Sequence, residues 1–151
     1  MPNLPFDVLG VDHAGLAPKD AAQAHAFFND ILNLPHIGQE FVADQKTDTD
    51  IFLASVHSDS TASRLEILSD HSDAGDGPIA KFLDRKGSGI HHLALRVSDV
   101  SAALKYLSSK NVRLVDETPR LGAHGTLIGF VHPEATGGIL LELVQSIPKS
   151  G

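Results

Sequence analysis

The sequence predicts an α+β fold in which two tandem βαβββ modules, residues 8–70 and 89–146, form one cupped mixed sheet. Two observations predict this fold. The order of strand-like and helix-like segments in the first half begins again after Gly89, and each half carries one histidine and one glutamate at matching places. The length of 151 residues, with 42% hydrophobic content, suits a single domain over residues 1–151.

The first module begins with a strand and an amphipathic helix. Residues 8–17 form an apolar run with one histidine, and residues 20–32 repeat apolar side chains at helical spacing. Two further strand-like runs, 51–56 and 65–68, flank a polar stretch with turn-forming residues, which indicates a hairpin. Pro78 then suits the first turn of a short helix that closes this half.

The second module repeats these elements in the same order. IHHLALRV resembles VDHAGLAP, TLIGFVHP corresponds to DIFLASVH, and ILLELVQ corresponds to SRLEILS. Between these runs, Asp99 can cap a helix with one apolar face, as Asp20 can in the first module. The matching order predicts that both halves share one architecture.

Charge and composition limit the function. A net charge of −7 provides no basic surface, so we expect a small-molecule partner rather than nucleic acid or a membrane. The lack of cysteine excludes disulfides, thiolate metal sites and cysteine nucleophiles. The sequence begins without a signal-peptide pattern and contains no apolar run long enough to span a bilayer, so we expect a cytoplasmic protein.

Four residues are candidate metal ligands: His13, Glu66, His92 and Glu142. Alternation along a strand gives each histidine apolar neighbours on its own face, and Glu142 stands among aliphatic residues in GILLELV. A buried carboxylate requires a compensating cation. One divalent metal would compensate all four residues, and a six-coordinate ion would keep two positions for a chelating substrate. Glu66 follows His13 by 53 residues and Glu142 follows His92 by 50, which supports a symmetric set.

The other histidines are weaker candidates. His91 is adjacent to His92 and is expected to point to the opposite face of the strand, in a structural role. His124 and His132 fall in predicted loops or strand ends that flank the proposed site. The remaining histidines are expected at the surface: His25, His36, His57 and His71.

Several motifs resemble a known family. VDHAGLA, LEIL followed by GPIAKFL, GIHHLALRV and PRLGAHGTLIGFVHPEATGGILLELVQ extend over nearly the whole chain. They resemble the vicinal-oxygen-chelate (glyoxalase/bleomycin-resistance/dioxygenase) superfamily and, within it, the methylmalonyl-CoA epimerase family. The resemblance implies a glyoxalase-like fold, an acyl-CoA substrate, a homodimer and one divalent metal, with cobalt expected first and Mn, Ni, Zn, Fe or Mg as alternatives. It assigns the metal to the same four ligands.

The resemblance also implies a reaction, the R/S interconversion of methylmalonyl-CoA by removal of the α-proton. The metal would polarise the thioester and a carboxylate would act as base, with Glu142 expected first and Asp50 or Glu66 on the opposite face. The Glu-Gln-Gly-Val run common in such epimerases is absent from QEFVADQKTDTDIF, and Asp50 is the nearest acidic residue by an ungapped match. Arg96 or Arg120 could orient the substrate's acid group or the CoA phosphates.

Three alternative functions share this fold. A lactoylglutathione lyase-like isomerase is disfavoured by the motif from GAHG to GGILLEL. An extradiol dioxygenase is disfavoured because a carboxylate at position 66 would occupy a metal position that oxygen chemistry needs. A non-catalytic, antibiotic-sequestering type of binding protein generally lacks the four ligands that this sequence retains.

Overall fold

The structure, a computed structural model, describes residues 3–55 and 62–147, so Val56 and His57 lie outside the described residues. Within these ranges it contains three α-helices and eight β-strands, which confirms the predicted α+β class. The chain divides into two compact units. One is Asp12–His91, and the other combines the residues before Asp12 with those from His92 onward. A single domain stays a prediction. None of the helices described is long and apolar enough to cross a lipid bilayer.

The first module has the predicted elements in the predicted order, together with a strand at His36–Val42 to which no sequence run was assigned. In chain order these are β1 (Val8–Ala17), α1 (Ala21–Ala26), β2 (His36–Val42), β3 (Thr47–Leu53), β4 (Arg64–Asp70) and α2 (Pro78–Lys86). The strands pair in the order β2-β3-β4-β1, with β4 parallel to β1 and the other pairs antiparallel. The result is a mixed sheet. Helix α1 continues directly into a π-helical turn at Phe27–Ile31, so this helical segment ends one residue before the predicted end.

The second module repeats this topology. Its elements are β5 (Gly89–Val97), α3 (Val100–Ser109), β6 (Arg120–Leu121), β7 (Thr126–Val131) and β8 (Leu141–Ser146). They pair in the order β5-β8-β7-β6, with β5 parallel to β8 and the other pairs antiparallel. The parallel pair β5 and β8 corresponds to β1 and β4 of the first module. The structure therefore confirms the tandem repeat that the motifs predict.

An aspartate side chain caps the first turn of each of the three helices. Asp20 and Asp99 each accept from the amide three residues later, at 2.9 Å, as predicted for α1 and α3. Helix α2 is capped from a distance, because Asp70 at the end of β4 accepts its first free amides at 2.9 and 2.8 Å. Gly77 precedes that helix, and a Cβ there would lie 2.3 Å from the Asp70 carboxyl carbon. Only glycine leaves room for this long-range cap.

The two modules bury their cores differently. The core of the second module packs α3 against its sheet through Val97, Val100, Ala103, Leu104, Val131 and Leu143. The first module has a smaller cluster around α2, formed by Ala17, Leu68, Ile79 and Phe82. All six residues of α1 lie in the described part of the chain, and none of them is buried. Helix α1 is therefore not anchored to its sheet by a buried apolar face.

Candidate metal centre

The first module brings together one predicted histidine and one predicted glutamate. In the parallel pairing of β1 and β4, Gly15 stands opposite Glu66, and His13 lies two residues before Gly15 on the same face. The His13 Nδ1 atom is 3.1 Å from the Glu66 Oε2 atom. Both residues are 5% exposed, so the contact is buried. The predicted neighbourhood of His13 and Glu66 is thus present within this module.

A third buried residue, Asp12, joins this pair. Its Oδ2 atom lies 2.7 Å from the His13 Nδ1 atom, so a single imidazole nitrogen faces two carboxylates. Asp12, His13 and Glu66 offer donor atoms within 4.8 Å of one another. Asp12 was not among the predicted site residues, because alternation along a strand directs neighbouring side chains to opposite faces. The acid–histidine dipeptide was the available signal.

The second module contains the corresponding pair. Ala94 on β5 stands opposite Glu142 on β8, and His92 lies two residues before Ala94 on that face. The His92 Nε2 atom is 3.1 Å from the Glu142 Oε2 atom, and both residues are buried. Phe130 stands opposite Glu142 across β7 and β8, and its ring meets the His92 ring edge-on at 5.6 Å. An aromatic ring therefore packs beside this donor pair.

The chemistry of these donors fits a divalent metal. Each module places one buried histidine and one buried glutamate in contact at 3.1 Å, on a pair of parallel strands. Strands hold their side chains more precisely than loops do, and first-row divalent metals accept nitrogen and oxygen donors of this kind. The two pairs also occupy equivalent register positions, as the sequence predicts. Each module thus holds half of the predicted ligand set.

Asp50 lies on the other face of the first module's sheet. Strands β3 and β4 pair Ile51 with Glu66 and Asp50 with Ile67. Paired residues share a face and consecutive residues alternate, so Asp50 points away from the face that carries Glu66. The prediction of Asp50 as a second base does not fit this position. Alternate residues of β3 share the face of Glu66, and the polar ones among them are the buried threonines Thr47 and Thr49.

The two predicted arginines both belong to the second module. Arg96 lies two residues beyond Ala94 on β5 and so shares the His92 face, as expected. The Arg120 guanidinium carbon lies 5.6 Å from the centre of the Phe130 ring, and its Nε atom is 3.2 Å from an Asp116 carboxylate oxygen. Because Phe130 shares the face of Glu142, Arg120 is positioned over an aromatic residue of that face.

The remaining histidines have varied surroundings. His91 packs edge-on against Phe82 at 4.9 Å, which agrees with its expected structural role. His132 Nδ1 accepts from the Glu134 amide at 3.0 Å, and His124 adopts a left-handed φ of 57° in a tight turn. His25, His36 and His71 were predicted only as surface residues, yet each of them contacts a carboxylate.

Comparison with known proteins identifies the class. A family model described as the Glyoxalase/Bleomycin resistance protein/Dioxygenase superfamily matches residues 12–130. The match covers most of the chain, and the chain belongs to this superfamily.

Within the superfamily, the chain is similar to methylmalonyl-CoA epimerases. The crystal structure of the Mycobacterium tuberculosis enzyme is 37% identical with a TM-score of 0.84, covering 94% of this chain and 91% of that chain. A structure of methylmalonyl-CoA epimerase in complex with methylmalonyl-CoA and NH4+ is 30% identical with a TM-score of 0.83, covering 93% and 96% of the two chains. The human mitochondrial enzyme is 33% identical over 137 residues, which are 90% of this chain and 73% of that protein.

Proposed function

We propose that this chain is a metal-dependent acyl-CoA epimerase that interconverts the R and S forms of methylmalonyl-CoA. The observation that carries the proposal is the buried histidine–glutamate pair at the same register position in each module. Similarity to methylmalonyl-CoA epimerases supports an acyl-CoA epimerase as the enzyme class. One of these relatives was solved with methylmalonyl-CoA, which supports that thioester as the substrate.

The proposed metal ligands are His13, Glu66, His92 and Glu142. Two imidazoles and two carboxylates suit a divalent ion, with cobalt as the first expectation and Mn, Ni, Zn, Fe or Mg as alternatives. When bound, the metal supplies Lewis-acid polarisation of the substrate's thioester carbonyl, which makes the α-proton more acidic. Asp12 is proposed to accept a hydrogen bond from His13 Nδ1 and so to orient the ring, which leaves Nε2 as the nitrogen that would bind the metal.

Inversion of the α-carbon requires proton-handling groups on two sides of the substrate. Glu142 is the proposed base that accepts the α-proton on a carboxylate oxygen. Glu66 is the proposed partner. Asp50, the other candidate, lies on the opposite face of the first module's sheet from Glu66. In one direction the Glu142 carboxylate accepts the α-proton and a protonated Glu66 donates its proton to the opposite side of the α-carbon. The reverse reaction starts from protonated Glu142 and the Glu66 carboxylate, so each turnover changes which of the two residues carries the proton.

The second module also offers a group for the substrate's free carboxylate. We propose Arg120 for this role, because its guanidinium lies over Phe130, whose ring contacts His92. Arginine binds carboxylates through paired hydrogen bonds, which would fix the substrate's orientation before proton transfer. Arg96, on the His92 face, is the alternative and could instead bind the CoA phosphates. The homodimer, the cytoplasmic location and the absence of nucleic-acid and membrane partners stay predictions from the sequence and its resemblance.

The proposed reaction is tested by proton exchange. The metal-loaded protein is incubated with methylmalonyl-CoA in D₂O, and loss of the α-proton signal is followed by proton NMR with and without a chelator. We expect rapid exchange that the chelator abolishes and that metal restores. If the metal-loaded protein leaves the α-proton in place, methylmalonyl-CoA is not the substrate.

A further inference from the structure

A second group of metal-type donors lies in the first module, on the face of its sheet opposite Glu66. Asp50 on β3 receives one imidazole at each carboxylate oxygen, His25 Nδ1 from α1 and His36 Nε2 from β2. The donor atoms of the three residues lie within 4.8 Å of one another. Small side-chain rotations bring such a set around one ion, whose bonds to nitrogen and oxygen are about 2.1 Å long.

A buried aromatic residue supports the two imidazoles. Strand β2 contains a register shift, so that His36 pairs with Phe52 while Gly38 already pairs with Ile51. The rings of His25 and His36 lie 5.1 and 5.0 Å from the Phe52 ring, which is fully buried, and 5.0 Å from each other. Asp50 shares the face of Phe52, two residues earlier on β3. Helix α1, β2 and β3 thus converge on one point.

The three side chains are accessible in a way that suits ion entry. The Asp50 side chain is 13% exposed, whereas those of His25 and His36 are 33% and 31% exposed. A cavity of about 610 Å³, lined in part by His25, Gln39 and Asp50, opens beside them. Glu40 and Asp48 also line this cavity, and their charge favours a cation. Three protein ligands beside an open cavity leave a fourth position for water.

Another contact between an imidazole and a carboxylate helps to distinguish a metal site from an ordinary hydrogen bond. His71 Nδ1 lies 2.9 Å from an Asp48 carboxylate oxygen, and these side chains are 58% and 44% exposed. That contact joins one imidazole to one solvated carboxylate, which is common at protein surfaces. The Asp50 carboxylate instead contacts two imidazoles, which come from two different elements, and it is mostly shielded from water.

We propose that His25, His36 and Asp50 bind a divalent ion of the zinc class, separate from the ion proposed at Glu142. Two nitrogens and one oxygen form a set that zinc accepts, with water completing a tetrahedron. The ion would join α1 to β2 and β3. The ion would thereby fix α1 to its sheet, since α1 lacks the buried apolar face that holds α3 in the other module.

The test counts zinc ions in the full-length protein. Each variant is equilibrated with zinc, desalted and analysed by mass spectrometry for bound zinc per chain. We expect two ions in the unmodified protein, one in His36→Ala, one in His92→Asn and two in the control His71→Ala. Equal zinc content in His36→Ala and the unmodified protein would overturn the proposal, as would an equal loss in His71→Ala. If the site proposed for catalysis binds no zinc, the expected counts become one in the unmodified protein, none in His36→Ala, and one in both His92→Asn and His71→Ala, so the loss in His36→Ala still tests this proposal.

A second readout reports on the helix itself. Hydrogen exchange of residues 21–31 is measured with and without zinc, in the unmodified protein and in Asp50→Asn, which retains the size of the side chain. Zinc is expected to slow exchange in the unmodified protein by at least about tenfold and to leave the variant unchanged. A zinc effect of the same size in Asp50→Asn would show that the ion binds elsewhere.

Discussion

The two modules share their donor pairs but differ in how their first helices are held. Helix α3 buries Val100, Ala103 and Leu104 against its own sheet. Helix α1 buries none of its six residues, all of which are described, and instead contacts the sheet through His25 and Asp50. One topology therefore supports an apolar attachment in one copy and a polar attachment in the other.

The difference shows which parts of the repeat are constrained. The parallel pairs β1–β4 and β5–β8 carry His13 with Glu66 and His92 with Glu142 at matching register positions. The faces that contact the first helices differ, because α1 meets Asp50 and Phe52 whereas α3 meets Val131 and Leu143. A strand pair that positions metal-type donors tolerates little change, because a shift of one residue turns every side chain to the other face. The outer helices need only remain attached, and more than one chemistry achieves that.

The largest expected effect separates the two glutamates. Glu142→Gln is expected to lower α-proton exchange with one epimer about 10²- to 10⁴-fold, the usual loss for a general base. With pure R and S substrate in D₂O, Glu142→Gln and Glu66→Gln should each retain exchange with the opposite epimer, because each residue serves one side. Glu134→Gln, on an exposed carboxylate paired with Arg113, is the control. Identical epimer preference in both variants would exclude Glu66 as the second base.

The next largest effect is on the free energy of unfolding, compared between substitutions in α3 and in the turn that continues α1. Leu104→Ala removes buried volume beneath α3 and is expected to lower the free energy of unfolding by about 2 to 5 kcal/mol. Ile31→Ala, in the turn that continues α1, changes a residue that is 71% exposed and should cost less than about 0.5 kcal/mol. Urea denaturation monitored by circular dichroism measures both variants. Similar losses would show that the segment after α1 is packed after all.

A smaller effect concerns the residues that precede the two histidines. Asp12 contacts His13, whereas the matching position before His92 is His91, which packs on Phe82. Asp12→Asn is expected to weaken metal binding at the proposed catalytic centre about 10- to 100-fold, because an orienting carboxylate is lost. Competition with a chelator measures the affinity. Asp48→Asn, an exposed carboxylate beside His71, is the control and should leave that affinity within about twofold.

The smallest expected effect is the loss of stability when the equivalent helix caps Asp99 and Asp20 are removed. Asp99→Ala removes the cap of α3 and is expected to cost about 1 kcal/mol of global stability. Asp20→Ala removes the same hydrogen bond from α1, whose residues are not part of the core. Its effect should therefore appear mainly as faster local hydrogen exchange, with little change in the urea midpoint. Equal shifts in the midpoint would mean that both helices unfold with the whole protein.

Much of the fold could be predicted because each element of the repeat occurs twice in the sequence. IHHLALRV and VDHAGLAP correspond to β5 and β1, and the caps Asp20 and Asp99 were found at the expected positions. The pairing of His13 with Glu66, and of His92 with Glu142, followed from equivalent positions in the two halves. Strand β2 was not assigned, because Gly38, Gln39 and Glu40 lack the alternation and β-branching that mark a strand.

The orientation of Asp50 could not be predicted in the same way. Which residues of β3 face Glu66 depends on the register between β3 and β4, and the length of the connecting segment sets that register. Sequence similarity to an acidic position does not report it. The contacts of His25 and His36 were missed for a related reason, since α1 and β2 reach Asp50 only through tertiary structure.

The ends of the two strand orders bear on how copies of this chain can associate. A long, regular edge strand offers unpaired amides and carbonyls that template another chain. Strand β2 carries a bulge where Gly38 follows His36 in the ladder, and β6 is only two residues long. Both strands stand at an end of their module's order and are poor templates. We therefore expect resistance to fibril-like growth through β2 and β6, and any dimer to meet through side chains rather than by extending the sheet there.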